Sequence, residues 1–169
     1  MSKRLKVMLH VTVLVALEVV LSRFCSIATQ FGKIGVAFLP LAVCAMLFGP
    51  WWACLAGGLA DFIGAVLFPI GPYFPGFTLS NALIGLLFGL CLHKRFSGWK
   101  HIAVAVVLSN FGISLFLSTL WLKLLYGSPY LGLLPTRLGQ SCIMSVLEFL
   151  LIRLIQGPMG MYSKQIRLQ

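Results

Sequence analysis

Acidic residues are nearly absent from this chain: Glu18, Asp61 and Glu148 are the only carboxylates in 169 residues. Charged residues of both signs make up 9% of it, against roughly 25% in an ordinary globular domain. A water-soluble fold of this length needs more polar surface than that, so a soluble domain is excluded. Catalytic patterns are missing too. There is no G-x-S-x-G turn, no H-E-x-x-H pair, no Walker phosphate loop and no paired-aspartate signature of a lipid phosphotransferase. With three acids and three displaced histidines (His10, His93 and His101), the chain does not read as an enzyme. Cysteine is sparse and scattered. Cys25, Cys44, Cys54, Cys91 and Cys142 form no C-x-x-C pair, so they read as small apolar residues and not as a disulfide framework or metal cluster. Neither a metal nor a cofactor is expected.

What is abundant is apolar sequence, 60% of the chain. A membrane-spanning helix needs about 20 mainly apolar residues, so six short spans nearly exhaust the length. This implies an all-α, polytopic bundle of six transmembrane helices, with residues 1–169 forming one membrane-embedded domain. Turn signals and charges place the helices at about Leu5 to Phe24, Ile34 to Phe48, Trp51 to Phe68, Thr78 to Leu92, Ile102 to Tyr126 and Arg137 to Gln156. The first has a basic start like a secretory signal, but Glu18 interrupts it and no small-x-small cleavage site follows. Gly49-Pro50 breaks the second from the third. The stretch Phe68 to Phe77, with three prolines and two glycines, is expected to be non-helical, as is the connection Gly127 to Thr136.

The net charge of +10 suits membrane topology and not nucleic acid, because no basic helix or aromatic-basic surface accompanies it. With six helices both termini share one side. That side collects nine cations (Lys3, Arg4, Lys6, Lys94, Arg95, Lys100, Arg153, Lys164 and Arg167), and the other collects four. The positive-inside rule then sets both termini in the cytoplasm, in a plasma-membrane protein.

The four outer cations, Arg23, Lys33, Lys123 and Arg137, have no acid in their loops. Long cations of this kind either snorkel to lipid headgroups or form a surface for an anion arriving from outside. Arg23 and Arg137 fall at expected helix ends, where part-burial favours bidentate pairing with carboxylate or phosphate. Phe68, Tyr73, Phe74 and Phe77 crowd one outer loop. They fit an interfacial aromatic belt or walls for a flat ring system, and irregular backbone at this depth is tolerated where it lines a cavity. Each acid lies inside an expected helix. Gly57, Asp61, Gly64 and Phe68 share one helical face, which sets Asp61 on a glycine-lined seam, either pairing with a neighbouring helix or touching ligand. Glu18 and Glu148 are expected to pair with Arg23 and Arg153. Apart from these acids, the inner halves of the helices read as nearly apolar.

Three stretches carry a family likeness. Gly49-Pro-Trp-Trp, Gly57-Gly-Leu-Ala-Asp61-Phe-Ile-Gly64 and Leu67-Phe-Pro-Ile-Gly-Pro-Tyr-Phe-Pro-Gly-Phe-Thr-Leu-Ser80 resemble the substrate-binding S components of energy-coupling factor (ECF) vitamin transporters. The last stretch is similar to the folate-specific branch. The likeness is strong over about residues 20 to 95 and rests elsewhere on length and span count. It implies capture of folate from outside by a non-enzymatic subunit. Transport would then need a transmembrane coupling subunit and two ATPases. Folate joins a flat pterin to an aminobenzoyl-glutamate with two carboxylates, so aromatic walls and outer cations are its complements. The expected contacts are Phe68, Tyr73, Phe74 and Phe77 around the pterin, Thr78 and Asn81 beside it, Gln30 closing from the first outer loop, and Arg23, Lys33 and Arg137 for the glutamate. The family's A-x-x-x-A docking pattern has its nearest match here in Thr12-x-x-x-Ala16-x-x-x-Val20. The alternatives are an S component for another vitamin, or a self-sufficient channel or exchanger. The latter would show a continuous polar path or an inverted repeat.

Overall fold

The structure, a computed structural model, describes residues 3–29, 32–69, 72–93, 98–126 and 130–167. Its elements run α1 (Lys3–Phe24), β1 (Ser26–Thr29), β2 (Gly32–Gly35), α2 (Phe38–Phe48), α3 (Pro50–Leu67) and α4 (Pro75–Leu92). A long rod follows, built of α5 (Trp99–Val107), a π-helical stretch (Leu108–Ser118) and α6 (Thr119–Tyr126), and then α7 (Tyr130–Arg167). Among the described residues, five helical stretches are long and apolar enough to cross a membrane: Arg4–Phe24, Pro50–Leu67, Pro75–Leu92, Trp99–Leu125 and Arg137–Gly160. The sixth, α2, has the position expected of it but only 11 residues.

α1 shows why apolar composition yields a bundle here. Val11, Val15, Glu18 and Val19 recur at helical spacing and are buried, while Val13, Leu17 and Val20 point outward. In lipid an outward apolar face costs nothing, so packing has to come from close fit. Glycines supply it between α3 and α4. A Cβ on Gly57 would lie 2.6 Å from the Asn81 carbonyl oxygen, one on Gly85 would strike the Ala53 backbone, and one on Gly89 would strike Pro50. α2 is the most enclosed element, with Leu41, Ala42, Cys44, Ala45 and Met46 all nearly inaccessible. It turns directly into α3 at Gly49, whose φ of 94° suits a residue without a side chain. Pro50 then takes the first helical position, where no N–H is required.

Three expectations change. The connection after α1 contains an antiparallel hairpin, with Ser26 opposite Gly35 and Thr29 opposite Gly32. α4 begins at Pro75, so the last part of the expected non-helical stretch is helix. Proline is preorganised for a first turn and stops nothing there. Likewise α7 begins at Tyr130 and runs through Pro135 and Pro158, as membrane helices with packed neighbours tolerate.

Candidate functional site

The polar side chains converge where α1, α3, α4, the π-helical stretch and α7 meet. On the α1–α3–α4 side, Asn81 Nδ2 donates to Glu18 Oε1 at 3.0 Å and to the Gly57 carbonyl at 2.9 Å. Thr78 Oγ1 donates to Asp61 Oδ2 at 2.8 Å and lies 3.3 Å from the Tyr73 hydroxyl. Asp61 is therefore paired with the neighbouring helix. Glu18 is not paired with Arg23, nor Glu148 with Arg153. Five residues along a helix turn about 500°, so each expected partner points some 140° away. Amides and hydroxyls take the role instead. Asn110 Nδ2 donates to Glu148 Oε2 at 2.7 Å, and Ser109 Oγ lies 3.5 Å from the same oxygen, while Arg153 Nη1 donates to Gln156 Oε1.

Ile84, Ser109, Asn110, Ser114, Arg137, Gln140, Ser141, Met144 and Glu148 line a cavity of about 90 Å³ between α4, the π-helical stretch and α7. This corrects the reading of the inner halves as apolar. The signal was in the sequence: Gln140, Ser141, Met144 and Glu148 recur on one helical face, and Ser109, Asn110 and Ser114 interrupt an apolar run. Arg137 is not at a helix end, because α7 begins a full turn and more before it. It is 7% exposed, its Nη1 donates to the Ser114 carbonyl at 3.2 Å, and its buried Nε has no hydrogen-bond partner among the described residues.

The other predicted residues fall into smaller groups. Phe74 lies 6.2 Å from Phe77 and 5.5 Å from Trp121, centroid to centroid. Trp121 Nε1 in turn donates to Ser80 Oγ at 3.0 Å, and neither Trp121 nor Ser80 was expected at the site. Tyr73 meets Phe62 edge-on at 5.9 Å, and Phe68 meets Phe24 at 5.4 Å. The loop aromatics thus form three separate groups and not one cluster, and none of them lines the cavity. Gly64 leaves room for the Arg23 guanidinium, since a Cβ there would sit 2.8 Å from Arg23 Nε, another buried donor without a described partner. Lys33 belongs to β2, Lys123 is exposed on α6, and Gln30 lies outside the described residues. Thr12, Ala16 and Val20 share an uncovered face of α1, where Thr12 Oγ1 bonds the Met8 carbonyl.

Known proteins resemble this chain closely. A sequence profile of the ECF transporter, substrate-specific component, matches residues 6–159. The folate transporter FolT of Clostridium novyi (strain NT) is 35% identical over 150 residues, which is 89% of this chain and 87% of that protein. The folate transporter FolT of Leuconostoc mesenteroides subsp. mesenteroides is 32% identical over 114 residues, 67% of this chain and 61% of that one. The crystal structure of FolT bound with folic acid aligns with a TM-score of 0.84 at 34% identity, covering 89% of this chain and 93% of the other.

Proposed function

The chain belongs to the substrate-specific components of ECF transporters, and from that premise we propose that it captures folate outside the cell and presents it to an ATP-driven import machine. The observation that carries the reading is the fold-wide likeness to a FolT whose structure holds folic acid. The chemistry at the site supports it. Folate is an amphipathic dianion with two flat rings. Arg137 and Arg23 offer buried donors without described partners, and charge-assisted bonds to carboxylates are the strong kind. Phe74, Phe77 and Trp121, with Tyr73 and Phe68 nearby, offer ring faces and edges. Thr78 and Asn81 add polar contacts, and Lys33 stands on β2, in the segment that follows α1.

Both termini lie in the cytoplasm on the charge asymmetry of the loops, in a multi-pass plasma-membrane protein. The open face of α1 at Thr12, Ala16 and Val20 is the docking surface for a transmembrane coupling subunit, and two ATPase subunits supply the energy. Small side chains there permit close helix approach.

Two measurements on the purified chain test this. Equilibrium titration in detergent should give saturable one-site folate binding. Proteoliposomes holding only this chain, under an imposed proton or sodium gradient, should bind folate without accumulating it. Concentrative uptake by the chain alone would make it an exchanger. Failure to bind folate with tight binding of another vitamin would move it elsewhere in the family.

A further inference from the structure

Contacts between helices define one end of the bundle. His10 on α1 meets Phe48 at the end of α2, with ring centroids 6.1 Å apart. At the α2–α3 turn, a Cβ on Gly49 would sit 3.3 Å from the imidazole of His93, which follows α4. α5 starts soon after α4 ends and packs against it. α7 runs toward the same end, because Arg137 bonds Ser114 and Glu148 bonds Asn110.

Exposed cations stand at this end: Arg4 and Lys6 on α1, Lys100 on α5 and Arg153 on α7. No side-chain carboxylate is left for them, since Glu18, Asp61 and Glu148 are held by Asn81, Thr78 and Asn110. Arg153 Nη1 donates to the neutral Gln156 side chain, which leaves its charge unbalanced. Helix stability does not explain them either. Arg4 and Lys100 stand in first turns, where a cation opposes the macrodipole. Below the charges the helices are apolar. Val104 and Val107 follow Lys100 at helical spacing, Leu150 and Val146 precede Arg153 in the same way, and all four are exposed. Trp99, beside Lys100, is 56% exposed. α5 and α7, which pack on each other, thus each present a positive charge above an apolar stripe.

We propose that this end of α5 and α7 binds anionic phospholipid in preference to zwitterionic phospholipid. Lys100 and Arg153 meet the headgroup phosphate, and the acyl chains lie along the valines and leucine below. The Trp99 ring sits between the two, where an amphipathic indole is most at ease. The sign of the field makes the choice. A zwitterionic headgroup brings a cation of its own to a place with no acid to receive it, whereas phosphatidylglycerol brings net negative charge. A soluble anion would match the cations but not the stripes. The charge asymmetry of the loops makes this the cytoplasmic leaflet, the anionic one. The inference concerns the lipid around the bundle and is independent of the folate reading.

The test is fluorescence quenching of the full chain in vesicles of equal parts phosphatidylcholine and phosphatidylglycerol, with brominated acyl chains on one lipid or the other. Subtracting the signal of Trp99→Phe from wild type isolates Trp99. Phosphatidylglycerol should quench it as if enriched at least about fivefold, roughly the factor one cation contributes near an anionic surface. Lys100→Gln combined with Arg153→Gln should bring the ratio below about twofold. Lys123→Gln, which removes an exposed cation from α6, should leave it unchanged. Equal quenching by the two lipids in wild type overturns the proposal without any charge variant. A ratio that survives in the double variant overturns it as well. Loss of the preference on adding inorganic phosphate at constant ionic strength would make this a soluble-anion site and not a lipid one.

Discussion

Arg23 and Arg137 both hold a buried N–H that meets no acceptor among the described residues, yet their surroundings differ. Arg23 ends α1 and lies against the space that Gly64 leaves on α3. Arg137 is enclosed within α7 and already tied to Ser114. A charge-assisted hydrogen bond is worth about 1.5–3 kcal/mol. Replacing by alanine whichever arginine meets the glutamate should therefore cost folate binding about tenfold or more, while pteroate loses little. Arg137→Ala is expected to show that split. Equal losses for folate and pteroate would give the arginine a packing role instead. Single residues were legible where type and position made them costly. Asp61 on a glycine seam, with its partner on a neighbouring helix, follows from the expense of an intramembrane carboxylate. Glu18 and Glu148 were visible as sites but not by partner, because nearness in sequence is not nearness on a helix. Trp121 escaped notice because its contact with Phe74 and Ser80 joins positions some forty residues apart.

At the level of elements, the α3–α4 pair depends on absent side chains. Gly85→Ala sets a methyl group against the Ala53 backbone, which cannot move aside as a flexible side chain would. Overpacking of this kind costs about 1–3 kcal/mol. Folate-binding activity surviving a heating ramp should be lost at a lower temperature than in wild type. Gly157→Ala is the comparison, since nothing stands within 4 Å of a Cβ there. It should be neutral or more resistant, by up to about 1 kcal/mol, from helix propensity alone. Matching behaviour of the two variants would show that the seam can open at no cost. Helix number and rough position were readable from apolar run length, and the α2–α3 break from Gly49-Pro50. Helix starts were misjudged at Pro75, which suits the first turn it opens, and near Pro135, which α7 runs through. The hairpin carried no alternation long enough to recognise. The π-helical stretch has no distinctive composition either, so a cavity wall built on its wider turn was not foreseeable.

For the whole molecule, the bundle holds its three acids within the helices, each accepting a hydrogen bond from a neighbouring element. Such a body is assembled in order as it leaves the ribosome, and α2 constrains that order. Its 11 residues extend about 16 Å, roughly half of a hydrocarbon layer about 30 Å thick. A segment that short cannot partition into lipid on its own; it finds its place only against α1, α3, α4 and α7. Threading of the nascent chain is then expected to lag at α2, and to be corrected once later helices arrive to enclose it. In a background free of native cysteines, Trp51→Cys should react from the side of the N-terminus in the full chain. In a chain ending at residue 52, it should react from the opposite side. Labelling from the same side in both would mean that α2 settles unaided. Otherwise the route of the polypeptide through the membrane is decided by its second half.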